Sequence, residues 1–242
     1  MIRFGLALLI AGGLVGAVLK SNSASPSPIK FATTLQGRSD NQRHNAFLTC
    51  SKLNGAVIKP GDAFSFNQRV GSWSRDAGYR RAPVSYNGTL IDAWGGGVCQ
   101  TSTTLYNAAL IAGLEVLERH PHRFAPSYCP PGRDAAVAFS GVDLRLRNPY
   151  DFPITVSAKF EGEHLVVGFS ASKALPKSTV VTDVRQFSAP MEQRLNHGGS
   201  DVRIRNEGKP GWEVVTYRVT KGQREWVSGD SYPTMDRIVE FR

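Results

Sequence analysis

Cysteine is scarce in this sequence, with three residues among 242. Three cysteines are too few for a disulfide-stapled scaffold, so the chain must fold around an apolar core, for which its 41% hydrophobic content is sufficient. The odd number also leaves at least one thiol unpaired, unless that thiol bridges to another chain. The sequence therefore poses the question of what the remaining thiol does.

The sequence also lacks any run of basic residues interleaved with aromatic ones. Nucleic acid is accordingly not expected as a partner, although Lys and Arg number 29 against 20 Asp and Glu. In an exported protein this modest positive charge would suit anionic wall polymers or lipid headgroups, and an ordinary solvated surface explains it equally well.

No uninterrupted apolar run reaches the roughly 20 residues that a membrane-spanning helix prefers. An uncharged, mainly apolar run of 16 residues extends from Phe4 to Leu19, between single basic residues. Its length predicts that residues 1–24 are a signal peptide or, if they are not cleaved, an anchor in the cytoplasmic membrane. The chain is thus expected to be exported, with residues 25–30 as a linker.

The rest of the chain divides into two regions of different pattern. Residues 31–142 contain apolar residues at helical spacing, which predict one helix at 41–53 and another that starts near Cys99. Residues 143–242 alternate polar and apolar side chains between turn signals, as short antiparallel strands do. The predicted fold class is α+β, with a Cys-bearing helix packed on an antiparallel sheet that the β-rich C-terminal part continues.

Cys99 occupies the predicted start of the second helix and follows three glycines at 95–97, with Val98 between them. At a helix N-terminus the free backbone N–H groups and the helix dipole favour a thiolate, which is the reactive form of cysteine. The glycines, including Gly97, would let a substrate approach the backbone closely, and hydroxyl residues at 101–104 could cap the helix start. The alternative is a structural cysteine, as we expect for Cys50 on the apolar face of the first helix.

A nucleophilic thiolate needs a base, and a third group must orient that base. His120 and His122 follow the second helix and a short predicted strand, and Asp134 comes later in the chain. This order can return either histidine to Cys99 with the carboxylate behind it. The candidate catalytic residues are therefore Cys99, His120 or His122, and Asp134.

The same residues allow a metal alternative. Cys99, His120, His122 and Cys129 offer two sulfurs and two imidazoles, which suit tetrahedral zinc, but their spacing matches no ordinary zinc module. We therefore expect no metal and no other cofactor, and keep zinc as an alternative. In an oxidising compartment Cys50 and Cys129 could form a disulfide, which would leave Cys99 free.

Five motifs of this sequence resemble the VanW family, and the resemblance covers about residues 31–170. The motifs are NQRHN at 41–45, PGDAFSFN at 60–67, GYRRAPV at 78–84, GGGVCQTSTTLYNA at 95–108, and RHPH at 119–122 with YCPPGRDA at 128–135. Cys99 lies within the family motif, whereas Cys129 stands where family members usually carry another residue. The resemblance implies an exported or membrane-anchored protein of the bacterial cell envelope, in a family named from vancomycin-resistance gene clusters.

The order of the Cys-bearing helix, strand, His and Asp is also similar to transglutaminase and papain-type cores. That similarity implies attack of Cys99 on a peptide carbonyl, with peptidoglycan peptides as the expected substrate in an envelope. Predicted substrate contacts are Gly97, Gln100, Arg119, Arg133 and Tyr128, the glutamine or local N–H groups for an oxyanion and the arginines for carboxylates. The rival hypothesis is a non-enzymatic wall-binding or scaffolding module in which the glycines form a tight buried turn.

Overall fold

The computed structural model describes residues 26–242 apart from Asn87 and Gly88. The predicted signal peptide or anchor, residues 1–24, lies outside the described residues. The first strand already begins at Ile29, so it takes the last two positions of the predicted linker. Within the described ranges, no helix is both long and apolar enough to cross a membrane.

Helices are few and strands are many. In chain order the described elements are β1 (Ile29–Thr34), α1 (Asp40–Leu53), β2 (Val57–Ile58), β3 (Ala63–Ser65), α2 (Phe66–Val70), β4 (Arg81–Tyr86), β5 (Thr89–Trp94), α3 (Val98–Ile111), β6 (Glu115–Glu118), β7 (Arg145–Arg147), β8 (Ile154–Glu161), β9 (His164–Ala171), β10 (Thr179–Ser188), β11 (Glu192–Asn196), β12 (Val202–Lys209), β13 (Gly211–Thr220), β14 (Gln223–Tyr232) and β15 (Met235–Phe241). The mixed, mainly antiparallel character confirms the predicted class in outline.

A four-stranded antiparallel sheet in the order β1-β9-β8-β2 supports the site. Helix α3 packs on β1 and β9, and α1 packs on β8 and on α3. Strand alternation directs Leu165, Val167 and Phe169 of β9 into the core, where they are fully buried. Leu105 and Leu110 of α3 are equally buried in the same cluster. This packing fixes the position of α3 on the sheet.

The other strands form smaller sheets. One contains β3-β7-β6, β4 and β5 form a hairpin, and the C-terminal strands form β10-β13-β14 and β11-β15-β12. The pair of β11 and β15 is parallel, and the other described pairs are antiparallel. Strands β7 to β9 thus join sheets with N-terminal elements, whereas β10 to β15 pair only with one another.

Helix α1 confirms the prediction at 41–53 and begins with a capping box. The Ser39 hydroxyl accepts a hydrogen bond from the Gln42 backbone N–H, and the Gln42 side chain accepts one from the Ser39 N–H. Ala46, Cys50 and Leu53 lie on the buried face. Cys50 therefore occupies the core position expected from the spacing.

Helix α3 begins differently from the prediction. Gly97 is the N-cap in a left-handed conformation with φ of +108°, and no side chain caps this end. The hydroxyl residues at 101–104 lie inside the helix and are buried, so the predicted capping role is wrong. The helix ends as predicted, because Gly113 follows it with a positive φ of +75°.

Candidate active site

Cys99 is the second residue of α3 and is partly exposed. Its Sγ lies 3.4 Å from the carbonyl oxygen of Val137, which places the thiol between the helix and the segment after Asp134. Position 97 has no room for a side chain, since a Cβ there would lie 2.3 Å from the Gln42 carbonyl oxygen. The glycine thus packs against α1, and its contact with a substrate stays a prediction.

Two hydroxyl residues of α3 position the segment that carries Asp134. The Ser102 hydroxyl donates to the Ala135 carbonyl at 2.6 Å, and the Ala135 N–H donates to the Thr103 hydroxyl at 3.0 Å. All of these groups are buried. The backbone after Asp134 is therefore held directly on the helix that carries Cys99.

His122 is oriented by Asp134 through two contacts to one carboxylate oxygen. Oδ2 of Asp134 accepts hydrogen bonds from the His122 backbone N–H and from its ring Nδ1, both at 2.6 Å. The Asp134 side chain is completely buried, and that of His122 is 21% exposed. Because Nδ1 of His122 is hydrogen-bonded to Asp134, Nε2 is the ring nitrogen that can interact with Cys99.

The second carboxylate oxygen of Asp134 is also fully bound. Oδ1 accepts hydrogen bonds from the Tyr232 hydroxyl at 2.5 Å and from Nη2 of Arg119 at 3.1 Å. Burial raises the pKa of Asp134, but the hydrogen bond and charge of His122 and the charge of Arg119 bring it below its ordinary value. Asp134 is thus held as a carboxylate.

Arg119 forms an ion pair with the Asp134 carboxylate and is not available to a substrate. Its side chain is 4% exposed, and its Nη1 donates to Asp230 at 2.5 Å while its guanidinium lies over the Tyr106 ring. The prediction that Arg119 binds substrate is corrected, since both ends of its guanidinium are occupied. It is a positioning residue for Asp134.

Cys99 and His122 shift each other's pKa values: that of Cys99 falls and that of His122 rises, as expected for an ion pair. Burial raises the pKa of the Cys99 thiol, but the hydrogen bond and charge of His122 outweigh burial, and the pKa lies below its ordinary value. Burial lowers the pKa of His122, yet the hydrogen bonds to Asp134 and Cys99 and the thiolate charge raise it to about 10. Both shifts are in the direction that favours a thiolate beside an imidazolium.

His120, the other candidate base, faces away from this pair. Its Nε2 lies 3.0 Å from a carboxylate oxygen of Glu118, and its side chain is 45% exposed. Its backbone carbonyl accepts the Ala136 N–H at 2.8 Å, which ties the two chain segments together. The structure therefore brings His122, and not His120, to Cys99.

Two further predicted substrate contacts, Gln100 and Arg133, form hydrogen bonds within the protein. The Gln100 amide is buried and donates to the Thr33 hydroxyl at 3.1 Å and to the Thr34 carbonyl at 2.7 Å, which leaves it no donor for an oxyanion. Arg133 donates from Nε to Asn107 at 2.7 Å and lies over the Phe31 ring. These contacts hold α3 to β1 and to the following loop, so the Gln100 amide is not a donor to an oxyanion, whereas the substrate contact of Arg133 stays a prediction.

Tyr128 does lie beside the pair. Its ring meets the His122 ring edge to face, with centroids 6.5 Å apart, and a hydrogen bond links its hydroxyl to Thr103. Burial and the charge of Cys99 raise the pKa of Tyr128, so the phenol stays neutral. It forms part of the wall around the thiol.

The alternative roles of the cysteines are not supported. Cys50, Cys99 and Cys129 are all free thiols, so the predicted disulfide is absent. Burial raises the pKa of Cys50 to about 12 and that of Cys129 further still, which keeps both protonated. No group of three or more His, Cys, Asp or Glu side chains in the described ranges is arranged to hold a metal ion, so the zinc hypothesis lacks a site.

Three residues that support the site were not identified from the sequence pattern. Tyr232 and Asp230 stand about a hundred residues after Arg119, and no local pattern signals them. Thr103 and its hydroxyl neighbours could have been noticed, because consecutive hydroxyls within an otherwise apolar helix imply buried partners.

A cavity of the described chain lies apart from Cys99, which is not among the residues of its wall. It measures about 740 Å³ and lies between the start of α1 and the β4–β5 hairpin, with Arg80, Asp92 and Trp94 in its wall. The thiol reaches the surface outside this cavity. The groove is separated from Cys99 by the glycines at 95–97, which pack on Trp73, on β4 and on α1.

Comparisons with known proteins locate the site within one family. A family model described as VanW like protein matches residues 41–170, more than half of the chain, and this range includes Cys99, His122 and Asp134. The chain is 37% identical over 146 residues to the Uncharacterized protein YoaR of Bacillus subtilis, covering 60% of this chain and 48% of that protein. It is 30% identical over 140 residues to the Vancomycin B-type resistance protein VanW of Enterococcus faecalis, covering 55% and 50%.

The chain thus spans about half the length of the curated relatives it matches. A solved structure, the crystal structure of HP0197-G5, aligns with 17% identity and a TM-score of 0.16, covering 27% of this chain and 99% of that one. The similarity to transglutaminase and papain-type cores is still one of residue order alone. By the family match over residues 41–170, the chain belongs to the VanW-like family.

Proposed function

We propose that this chain is a cell-envelope protein that uses Cys99 as the nucleophile of a peptidyl hydrolase or transferase. The proposed substrate is a peptidoglycan stem peptide or cross-bridge. The single observation that carries the proposal is the succession of contacts from Asp134 to His122 to Cys99, in which one carboxylate orients the ring and the ring lowers the pKa of the thiol. The family match and the relative named for vancomycin resistance support the envelope setting.

Each member of the arrangement has a role that its contacts suit. Asp134 fixes the ring through Nδ1 and stabilises the imidazolium by its charge. His122 holds a proton near the thiolate, because its raised pKa keeps it protonated at neutral pH. The backbone N–H of Cys99, in the first turn of α3 where amides lack helical acceptors, is the candidate donor to an oxyanion.

The proposed reaction has two half-steps. The Cys99 thiolate attacks a peptide carbonyl and forms a carbon–sulfur bond, and the tetrahedral intermediate expels the amine, which takes its proton from Nε2 of His122. Water, or an acceptor amine, then attacks the thioester while the now neutral His122 accepts its proton. The carbon–sulfur bond breaks and the thiolate–imidazolium pair is restored.

The location is part of the same proposal. Residues 1–24 would direct export, and either cleavage or retention of this segment would leave the site outside the cytoplasmic membrane. A peptide substrate of the wall would then reach Cys99 from the exposed side of His122.

A wall-binding module without catalysis is a second candidate. The observation in its favour is the open groove of about 740 Å³ at the β4–β5 hairpin, which lies apart from Cys99. Its wall carries Trp94, which is 40% exposed, beside arginine and aspartate side chains of the kind that bind polar ligands. In that case the groove, and not the thiol, would carry the function.

The two candidates are separated by incubating purified protein with muropeptides and reading the products by mass spectrometry. The catalytic proposal predicts a cleaved or cross-linked product that Cys99→Ser abolishes. His122→Ala should lower the rate at least about a hundredfold, because the thiolate loses its ionic partner and the leaving amine its proton donor. Trp94→Ala should lower binding of intact muropeptide if the groove carries the function.

His120→Ala is the matched control, since the same side chain is removed two positions away where it contacts only Glu118. It should retain the rate of the natural sequence within about twofold. Binding without turnover, unchanged in Cys99→Ser, would overturn the catalytic proposal and favour the wall-binding module.

A further inference from the structure

Two cations from distant parts of the chain contact the loop at 121–134 that carries the catalytic base. The Cζ atom of Arg38, after β1, lies 5.1 Å from the centroid of the Tyr128 ring. The Nζ atom of Lys209, at the end of β12, donates to the Ala125 carbonyl at 2.8 Å. The loop thus gathers two positive charges on the side of Tyr128.

Neither cation has an acidic partner. Among the described residues, Arg38 and Lys209 form no ion pair, and the guanidinium Nε of Arg38 is buried without a hydrogen-bond partner. Residues 1–25 and 85–90 contain no Asp or Glu, so they could supply no carboxylate. Burial and the nearby charge of Arg38 lower the pKa of Lys209, as expected for like charges without an anion between them.

These charges lie close to the reacting thiol. Tyr128 contacts Arg38 with its ring, meets the His122 ring edge to face at 6.5 Å, and responds to the charge of Cys99. Arg38 is therefore separated from the catalytic histidine by the thickness of one aromatic side chain. An anionic group bound at Arg38 would lie one aromatic ring away from His122.

We propose that Arg38 and Lys209 bind a carboxylate of the substrate and so select peptides with a free carboxylate close to the bond that Cys99 attacks. The proposal rests on the proposed function, because it names the substrate class of the same site. A guanidinium without an acidic partner and an ammonium that senses its charge match the two oxygens of a carboxylate. Arg119, which the sequence suggested for this role, is occupied by Asp134 and Asp230.

The test uses a matched pair of alkylating reagents, N-iodoacetyl-glycine and N-iodoacetyl-glycinamide. They carry the same reactive carbon and differ only in a free carboxylate about 5 Å away. The full chain should alkylate Cys99 about tenfold faster with the acid than with the amide. Arg38→Gln and Lys209→Gln should each reduce that ratio at least about threefold, with the rate of each variant toward the amide as its own reference.

Arg203→Gln is the matched control, because Arg203 is exposed on the same strand as Lys209 and lies six residues away from it. It removes the same charge and should retain the full ratio. A ratio at or below one, or a ratio that Arg38→Gln and Lys209→Gln leave unchanged, would overturn the carboxylate site.

The two proposals fail in different ways. Slow alkylation of Cys99 by the neutral amide would contradict the activated thiolate, whereas the acid-to-amide ratio reports the anion site alone. Thermal unfolding of each variant, compared with the natural sequence, identifies any loss that comes from misfolding. For a variant that unfolds early, Arg38→Lys, which retains the charge, should keep most of the ratio.

Discussion

Asp134 is the most constrained side chain of the site. It is completely buried and accepts four hydrogen bonds, two from His122 and one each from Arg119 and Tyr232. A carboxylate so fully bound loses its water shell but regains a partner for every lone pair that points inward. Its role is to set the orientation and charge of His122.

Replacing Asp134 by Asn should therefore damage both stability and reactivity. We expect the free energy of unfolding at neutral pH to fall by about 3 kcal/mol, because Arg119 loses one of its two buried partners. The pKa of His122 should fall as well, since the negative charge that raises it is gone. Urea unfolding followed by circular dichroism measures the first effect, and NMR titration of the His122 ring measures the second.

The sign of the pH dependence follows from the lowered pKa of Asp134. A depressed folded-state pKa gives stability that is present above the unfolded value and is lost as the pH falls through the folded value. The difference between the natural sequence and Asp134→Asn should thus shrink in acid. Asp92→Asn, which removes an exposed partner of Arg81, is the control and should cost about 1 kcal/mol or less.

At the residue scale, the sequence could propose the members of the candidate site but not the contacts that hold them. Cys99, Asp134 and one of two histidines could be proposed because a nucleophile, a base and an orienting group must follow in a workable order. Spacing could not choose between His120 and His122, since they lie two residues apart. The choice depends on which ring Asp134 reaches, and that is decided by the fold of the loop.

At the element scale, α3 acts as a platform fixed on both sides. Its glycine N-cap packs on α1, and its buried hydroxyls bind β1 and the segment after Asp134. The sequence indicated the helix and its C-terminal glycine correctly. It could not indicate that the hydroxyls face inward, because their partners are brought together only when the sheet forms.

Gly97→Ala should destabilise the protein and displace the start of α3. A Cβ at this position would lie 2.3 Å from the Gln42 carbonyl oxygen, and the φ of +108° is unfavourable for alanine. We expect the free energy of unfolding to fall by about 3 kcal/mol or more. Chemical unfolding at pH 7 measures this loss.

Gly162→Ala gives the matched comparison. Gly162 also has a positive φ, +58°, but nothing lies within 4 Å of a Cβ at that position. Its cost should be about 1 kcal/mol, the conformational penalty alone. Equal costs at the two positions would show that contact with α1 contributes nothing to the need for glycine at position 97.

At the scale of the whole molecule, the C-terminal strands complete the site. Tyr232, at the end of β14, donates to Asp134 and accepts a hydrogen bond from the Gly132 N–H at 2.9 Å. The family match ends at residue 170, so this support comes from beyond the matched range. The β-rich character of this region was predicted, but β11, β12 and β15 and all contacts to the site were not, because sequence patterns report local periodicity and not distant pairing.

Replacing Tyr232 by Phe tests whether this distant strand affects the reactivity of Cys99. Loss of one hydroxyl leaves a buried carboxylate oxygen and a buried N–H each short of a partner, at a cost of about 1 to 3 kcal/mol. The alkylation rate of Cys99 should also change, because Asp134 is free to shift. Tyr217→Phe, on the neighbouring strand β13, is the control and should alter stability by about 0.5 kcal/mol or less.

The central claim is that His122 makes Cys99 a thiolate at neutral pH, and the pH dependence of Cys99 alkylation by iodoacetamide tests it most directly. The account predicts that the rate is half-maximal at a pH below the ordinary thiol pKa of about 8.5, with Cys50 and Cys129 unreactive in the folded protein. In His122→Ala the midpoint should rise above that value, because burial is then unopposed, while His120→Ala should leave it in place. A midpoint at or above about 8.5 in the natural sequence, or one that His122→Ala does not move, would contradict the account.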